Sequence, residues 1–143
     1  MTQGSTVGVD IARDTFDVFI SPENRFLHLE NTPDGHQQLI DNLTSLNVTL
    51  VVMEATSRYH NLLAATLELA GIPVAVVNPR QVKNFARALG TLFKTDPNDA
   101  RVICEFGRRM EPEVRPAPDE QTQRLAMMVS RRRQRSEEHT SEL

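Results

Sequence analysis

The sequence has little that would crosslink the chain or anchor it in a membrane. Its one cysteine, Cys104, excludes a disulfide within the chain and a cysteine-based metal site. No run of about eighteen apolar residues occurs, and Met1 is not followed by the charged and then apolar segments of a secretory leader. We therefore expect a cytoplasmic protein with no membrane partner.

The chain is long enough for one sizeable core, because 39% of its 143 residues are hydrophobic. Its net charge of −3 hides an uneven distribution. Residues 1–78 carry three basic and nine acidic residues, whereas residues 79–135 carry thirteen basic and seven acidic ones. The basic half is the candidate for contact with a polyanion, although an ordinary solvated helical surface has a similar composition.

Alternating and continuous apolar runs predict the secondary structure. Three consecutive antiparallel strands are expected first, at residues 6–10, 15–20 and 25–29. Later strands are predicted at 50–54 and 74–77, and helices at 33–43, 59–70, 79–89 and 96–110. This order predicts an α/β fold with a mixed sheet, in which the three antiparallel strands are followed by alternating strands and helices.

The predicted domain covers residues 1–110, and three segments follow it. Three prolines within residues 111–118 indicate a linker. Residues 119–134 carry a narrow apolar stripe of Leu125, Met128 and Val129, too small to fold alone, so we interpret them as the start of a coiled-coil helix. Residues 135–143 match one reading frame of a common sequencing adapter, and we expect them to be read-through rather than gene.

Four carboxylates are the candidate site. Asp10 and Glu54 each end an apolar strand, and such strands can be neighbours in the sheet. Asp96, directly before Pro97, is suited to cap the helix predicted at 96–110. Asp99 lies three residues further on and therefore shares a helix face with Asp96. Taken singly, each is also typical of a helix cap or a surface acid; the possible convergence of all four favours a site.

Close carboxylates repel one another and raise one another's pKa unless a cation lies among them. Oxygen ligands without histidine or cysteine favour Mg²⁺ or Mn²⁺ over Zn²⁺. Two such ions can activate a nucleophile and stabilise a leaving oxygen in phosphodiester chemistry. The four acids therefore predict a divalent-metal site for Asp10, Glu54, Asp96 and Asp99.

Four segments carry a resemblance to a known family: GVDIA at 8–12, MEATSRY at 53–59, VNPRQVK at 77–83 and KTDPNDA at 94–100. In order and spacing they resemble the motifs of the insertion sequence 110 family of DEDD transposases, which are relatives of the Piv-type DNA invertases. The resemblance extends from about residue 7 to residue 110. It implies a RuvC-like, RNase H-like fold whose acidic tetrad is Asp10, Glu54, Asp96 and Asp99.

The resemblance also implies an activity and partners. Members of this family are bacterial recombinases that move a DNA element, bind Mg²⁺ and assemble as homo-oligomers, and one branch uses a structured bridge RNA to choose its DNA. We accordingly expect DNA and a structured guide RNA as partners and a nucleoid-associated location. The family's nucleophilic serine belongs to a C-terminal domain that follows the coiled coil, so we assign no serine here and expect this fragment alone to be inactive.

Basic residues beside the third motif are the candidate nucleic-acid contacts. Arg80, Lys83, Arg87 and Lys94 alternate with apolar positions on and just after one predicted helix. A solvated helix surface is the alternative reading.

Other classes of protein remain open from the sequence. A Holliday-junction-type nuclease would share the fold and the metal chemistry, and only the flanking motifs argue against it. A non-catalytic nucleic-acid-binding module would hold its ligand without dependence on Mg²⁺. A sugar-kinase or actin-like ATPase lobe would have a glycine- and threonine-rich turn after Asp10, where this chain has residues 11–14, IARD.

Overall fold

A five-stranded mixed sheet forms the centre of the computed structural model, which describes residues 4–90 and 99–115. Its strands are β1 Ser5–Ile11, β2 Thr15–Ser21, β3 Arg25–Glu30, β4 Val48–Glu54 and β5 Val74–Val77. Its helices are α1 Pro33–Leu43, α2 Asn61–Leu69, α3 Pro79–Leu89 and α4 Asp99–Met110. The sheet order is β3-β2-β1-β4-β5, with β1 to β3 antiparallel and β4 and β5 parallel to β1. The predicted mixed α/β sheet is confirmed.

The helices begin where the sequence supplies caps. Thr32 accepts a hydrogen bond from the Gly35 N–H at the start of α1, and Asn78 accepts one from the Arg80 N–H at the start of α3. A proline follows each cap and occupies the first turn, where its missing N–H has no helical partner to lose. These local signals explain why the boundaries of α1 and α3 agree with the prediction.

One side of the sheet, which we call the closed face, is covered by α1 and α2. Alternate residues of β1 and β2 point to this side and pack against leucines of the two helices, such as Leu39 and Leu63, both fully buried. Continuous burial of this kind supplies most of the hydrophobic stabilisation of a small α/β domain.

The opposite side, which we call the site face, is covered by α4 and α3. Helix α4 lies unusually close to β1 because Gly8 has no side chain: a Cβ there would lie 2.2 Å from the Ala100 carbonyl oxygen and 2.4 Å from the Cys104 nitrogen. The buried Cys104 thiol donates a hydrogen bond to the Thr6 carbonyl at 3.2 Å. Burial raises the pKa of this thiol to about 12, so Cys104 is a packing residue.

Two local features differ from the sequence pattern. Helix α2 begins at Asn61 rather than at residue 59, because Ser57 has a φ of 52° and His60 uses its Nδ1 to accept a hydrogen bond from the Thr56 N–H. After α4, the Arg115 N–H donates to the Val74 carbonyl and the Arg115 guanidinium pairs with Glu68, so the chain contacts the end of the sheet there.

Some predictions fall outside the described residues. These are the capping role of Asp96, the contact by Lys94, the last three residues of the linker, the coiled-coil start predicted at 119–134 and the adapter read-through predicted at 135–143. Within the described part, no helix is both long enough and apolar enough to cross a membrane.

Candidate active site

Asp10 and Glu54 lie side by side at the carboxyl ends of neighbouring strands. Strands β1 and β4 are parallel, and Val9 pairs with Met53, so the next residue of each strand is one of the two acids. Val9 and Met53 are buried on the closed face, and alternation therefore places Asp10 and Glu54 on the site face. The sequence prediction that these strands are neighbours agrees with this geometry.

Helix α4 supplies the third acid. Asp99 is its first described residue, and the close contact of Ala100 with Gly8 keeps this end of the helix against β1. Gly107 permits a second close approach, since a Cβ there would lie 2.3 Å from the Val52 side chain. Two glycines, one on the strand and one on the helix, thus hold Asp99 near Asp10 and Glu54.

The pKa values of the strand acids are those expected of crowded carboxylates. Partial burial, followed by the charges of Asp99 and Asp17, raises the pKa of Asp10. Partial burial, followed by the charges of Asp10 and Asp99, raises the pKa of Glu54. The charge of Asp99 acts on both strand acids and the charge of Asp10 acts on Glu54, so the three side chains form one electrostatic unit at the strand ends.

A cleft of about 390 Å³ opens between this unit and α3. Glu54 and Asp99 line it on one side, and Lys83 lines it from α3. Arg80 and Arg87 are exposed on the same helix at spacings of three and four residues from Lys83, so they share its helix face. Of the predicted basic contacts, only Lys83 lies in the cleft, and Lys94 lies outside the described residues.

The donor chemistry of the site fits a hard divalent cation. Asp10, Glu54 and Asp99 offer only carboxylate oxygens. Their mutual repulsion adds to burial in raising the pKa values of Asp10 and Glu54, and a cation among them would relieve that repulsion. In residues 4–90 and 99–115, no three His, Cys, Asp or Glu side chains are arranged closely enough to enclose a metal ion. Asp96, the fourth predicted ligand, lies outside those ranges.

The sequence interpretation missed two neighbours of the acids. Asp17 of β2 is paired with Asp10, and His28 of β3 is paired with Asp17, so a row of His28, Asp17, Asp10 and Glu54 crosses the site face. The His28 Nδ1 lies 2.5 Å from an Asp17 carboxylate oxygen. Extending the predicted alternation of β2 and β3 into a pairing register would have revealed this row, because paired residues share a face.

This arrangement of strands, helix and acids is that of a known fold. Sheet order, parallel β1 and β4 with acids at their carboxyl ends, and an acid at the start of the helix on the same face describe the RuvC-like, RNase H-like fold. A solved structure of this fold, titled "T. thermophilus RuvC in complex with Holliday junction substrate", aligns with a TM-score of 0.54 and 16% identity, covering 76% of this chain and 96% of that one.

The sequence comparisons specify the family. Residues 7–143 match the DEDD transposase family of insertion sequence 110, and the chain belongs to that family. It is 28% identical over 134 residues to the "Pilin gene-inverting protein" of Moraxella lacunata and 28% identical over 135 residues to that of Moraxella bovis. Each alignment covers 87% of this chain but 41% of the relative, so the chain spans about two fifths of their length. The resemblance stated from the motifs is confirmed.

Proposed function

We propose that this chain is the metal-binding, acidic part of an enzyme of DNA transposition or site-specific recombination. In the proposal Asp10, Glu54, Asp96 and Asp99 hold Mg²⁺ or Mn²⁺ and act as the catalytic acids. The observation that supports it most strongly is the convergence of Asp10, Glu54 and Asp99, which repel one another at the carboxyl ends of β1 and β4. Family membership supports transposition as the process served.

The residues of the cleft have separate tasks in this proposal. When bound, the divalent ions would polarise a phosphodiester and lower the pKa of a nucleophilic hydroxyl or water. Asp10 and Glu54 lie on two paired strands, which fix the positions of their carboxylate oxygens for binding the ion. Asp99 contributes the third carboxylate from α4. Lys83 faces Glu54 and Asp99 across the cleft, where its ammonium group can bind a phosphate oxygen.

Thermal unfolding of the full chain with increasing Mg²⁺ or Mn²⁺ tests the site. A ligand that binds only the folded state raises the melting temperature, and the effect grows with its concentration. We expect the wild type to show this rise and the Asp10→Asn/Asp99→Asn variant to lose it.

The matched control removes two negative charges elsewhere. Asp41 lies on α1 and Glu113 lies after α4, and both are exposed. The Asp41→Asn/Glu113→Gln variant should keep the whole metal response. An equal rise in melting temperature for wild type and the Asp10→Asn/Asp99→Asn variant would show that the ions bind elsewhere.

Nucleic-acid contact by the basic residues is the second part of the proposal. Arg80, Lys83, Arg87 and Lys94 are proposed to bind DNA or a structured guide RNA, a role supported by the exposed row on α3 beside the cleft. Replacing Arg80, Lys83 and Arg87 with glutamine should weaken binding and flatten its salt dependence, by about one unit of slope per lost phosphate contact. An unchanged slope would return these residues to the solvated-surface reading.

Family membership also supports the finer parts of the proposal, namely guidance by bridge RNA, homo-oligomers of the full-length protein and action at the bacterial nucleoid. A Holliday-junction nuclease is the second candidate, favoured by the RuvC fold neighbour. Incubation with four-way DNA junctions and Mn²⁺ separates the two. Symmetric, metal-dependent cleavage by this chain alone would favour the nuclease, whereas binding without cleavage fits a transposase whose remaining domains are needed.

A further inference from the structure

One part of the site face is left open beside the acids. Helix α4 lies over β1 and its neighbours, but among the described residues no helix covers the site-face side of β3. Phe26, His28 and Glu30 alternate on that side of β3, and all three are exposed. Phe26 is 49% exposed, so about half of its surface is accessible to a ligand.

Phe26 is part of an ordered group of side chains. Its ring lies 4.6 Å from that of Phe19, its partner on β2, with a tilt of 48° between the planes. The Arg101 guanidinium carbon lies 5.7 Å from the centre of the Phe19 ring, within the range of a cation–π contact. We call Phe26, Phe19 and Arg101 the stacking surface. Phe19 is 5% exposed, so Phe26 presents the accessible ring.

The stacking surface is continuous with the proposed catalytic acids. Phe19 lies two residues after Asp17 on β2, and Phe26 lies two residues before His28 on β3, so both pairs occupy the same face. Asp17 is paired in turn with Asp10. The exposed ring is therefore one step along the sheet from the row of acids, on the side away from Lys83.

We propose that the stacking surface binds an unpaired base of the nucleic-acid strand that crosses the acidic site. The inference rests on the proposed function, since it assigns the strand's path beside that site. The ring of Phe26 stacks on the base, and Arg101 binds the adjoining phosphate. Every base has a π-face, so such contacts accept any sequence.

Charge favours a nucleic-acid strand over an apolar protein partner. The acids in the middle of the face repel phosphates, so a strand that reaches them needs favourable contacts on both sides. Lys83 supplies positive charge at the α3 side, and Arg101 supplies it at the β2 side. An apolar protein partner would need a larger apolar area than this side of β3 offers, where Phe26 is a single exposed ring beside His28 and Glu30. A single base needs no more than one ring face.

The absence of tryptophan from the chain makes a direct test possible. The Phe26→Trp variant has one indole, placed on the stacking surface, and a base that stacks on it quenches its fluorescence. Leu69→Trp is the matched control, because Leu69 is 45% exposed but belongs to α2 on the closed face. We expect a mixed-sequence, single-stranded DNA oligonucleotide to give saturable quenching of Phe26→Trp and none of Leu69→Trp. Equal behaviour of the two variants would overturn the proposal.

Affinity supplies the second readout. Phe26→Ala should weaken binding of the same oligonucleotide about tenfold, while Phe26→Tyr should retain it. Binding of Phe26→Ala at wild-type strength, or quenching by a second copy of the chain at high protein concentration instead of by DNA, would contradict the proposal. Melting temperatures of the variants check that each is folded.

The titrations are run with and without Mg²⁺. If DNA quenches Phe26→Trp but Mg²⁺ does not raise the melting temperature of the wild type, the stacking surface is supported and only the metal site is contradicted. The reverse result, a metal response without quenching, would sink only the stacking surface.

Discussion

The two faces of the sheet differ in the polarity and burial of the side chains at the ends of the strands. The closed face is filled with branched and aromatic side chains that meet α1 and α2, and its members are almost completely buried. The site face has glycines where α4 approaches, half-buried carboxylates at the strand ends and a cleft toward α3. The site face also has a buried apolar cluster under α3 and α4, which includes Val52, Ile103 and Phe106. The acids that repel each other therefore lie at the strand ends beside a hydrophobic core, and both faces contribute to stability.

The faces also respond to acid in opposite directions. His36 on the closed face is 3% exposed, its ring lies 5.9 Å from that of Phe16, and burial lowers its pKa to about 4. On the site face, the pKa values of Asp10 and Glu54 are raised. Protonation thus opposes folding through the closed face and favours it through the site face, and this contrast can be tested with single substitutions.

The largest expected effect comes from His36. Its unfolded pKa is about 6.5 and its folded value about 4, so the neutral ring stabilises the fold fully above pH 6.5 and this contribution is lost as pH falls toward 4. Over that interval wild type should lose up to about 3 kcal/mol more unfolding free energy than the His36→Gln variant. Urea unfolding at several pH values measures the difference. Parallel pH curves for the two proteins would show that the buried ring does not govern the acid response.

How much of this comparison was predictable depends on how local each feature is. The strands, α1 and α3 follow from alternation and from the caps Thr32 and Asn78, which act within a few residues. These signals sit in short stretches of sequence, so they could be interpreted without coordinates. The adjacency of Asp10 and Glu54 was predicted only as a possibility, because the pairing of β1 with β4 joins distant segments.

Other features depend on contacts between distant segments. The row through Asp17 and His28 depends on register, and the exposure of Phe26 depends on which strand α4 leaves uncovered. Lys83 lines the cleft whereas Arg80 does not, although both lie on the same face of α3, because the cleft meets only part of the helix. Pairing and packing across the chain decide all three. Only the row could have been inferred from the sequence, by extending the alternation of β2 and β3 into a pairing register.

The middle-sized effect tests the glycine that lets α4 approach the sheet. In Gly8→Ala the new methyl group collides with backbone atoms of Ala100 and Cys104, which cannot rotate away, so α4 must shift. We expect a loss of about 2 kcal/mol of unfolding free energy together with a weaker melting-temperature response to Mg²⁺, because Asp99 moves with the helix.

Leu63→Ala is the matched comparison from the closed face. Leu63 is fully buried there, and its truncation should cost at least as much stability by leaving a cavity. It should keep the Mg²⁺ response, since no site residue moves. If both variants lose the melting-temperature response to Mg²⁺ in proportion to their lost stability, the metal response does not depend on the site face in particular.

The smallest predicted effect is at Asp10, where the difference in stability between the Asp10→Asn variant and wild type should change sign when Mg²⁺ is added. Its folded pKa is raised above the unfolded value, so the ionised carboxylate costs stability at neutral pH, and that cost disappears below about pH 4, where both states are protonated. Asp10→Asn removes the charge, and without metal the variant should be slightly more stable than wild type at pH 7 and no more stable near pH 3.5. Saturating Mg²⁺ should reverse the order at pH 7, because only wild type keeps all its carboxylate ligands. Thermal unfolding in EDTA and in Mg²⁺ measures both differences. If the variant is less stable than wild type in EDTA at pH 7, the fold needs the Asp10 carboxylate. Repulsion between the site acids would then not explain why protonation affects the two faces in opposite ways.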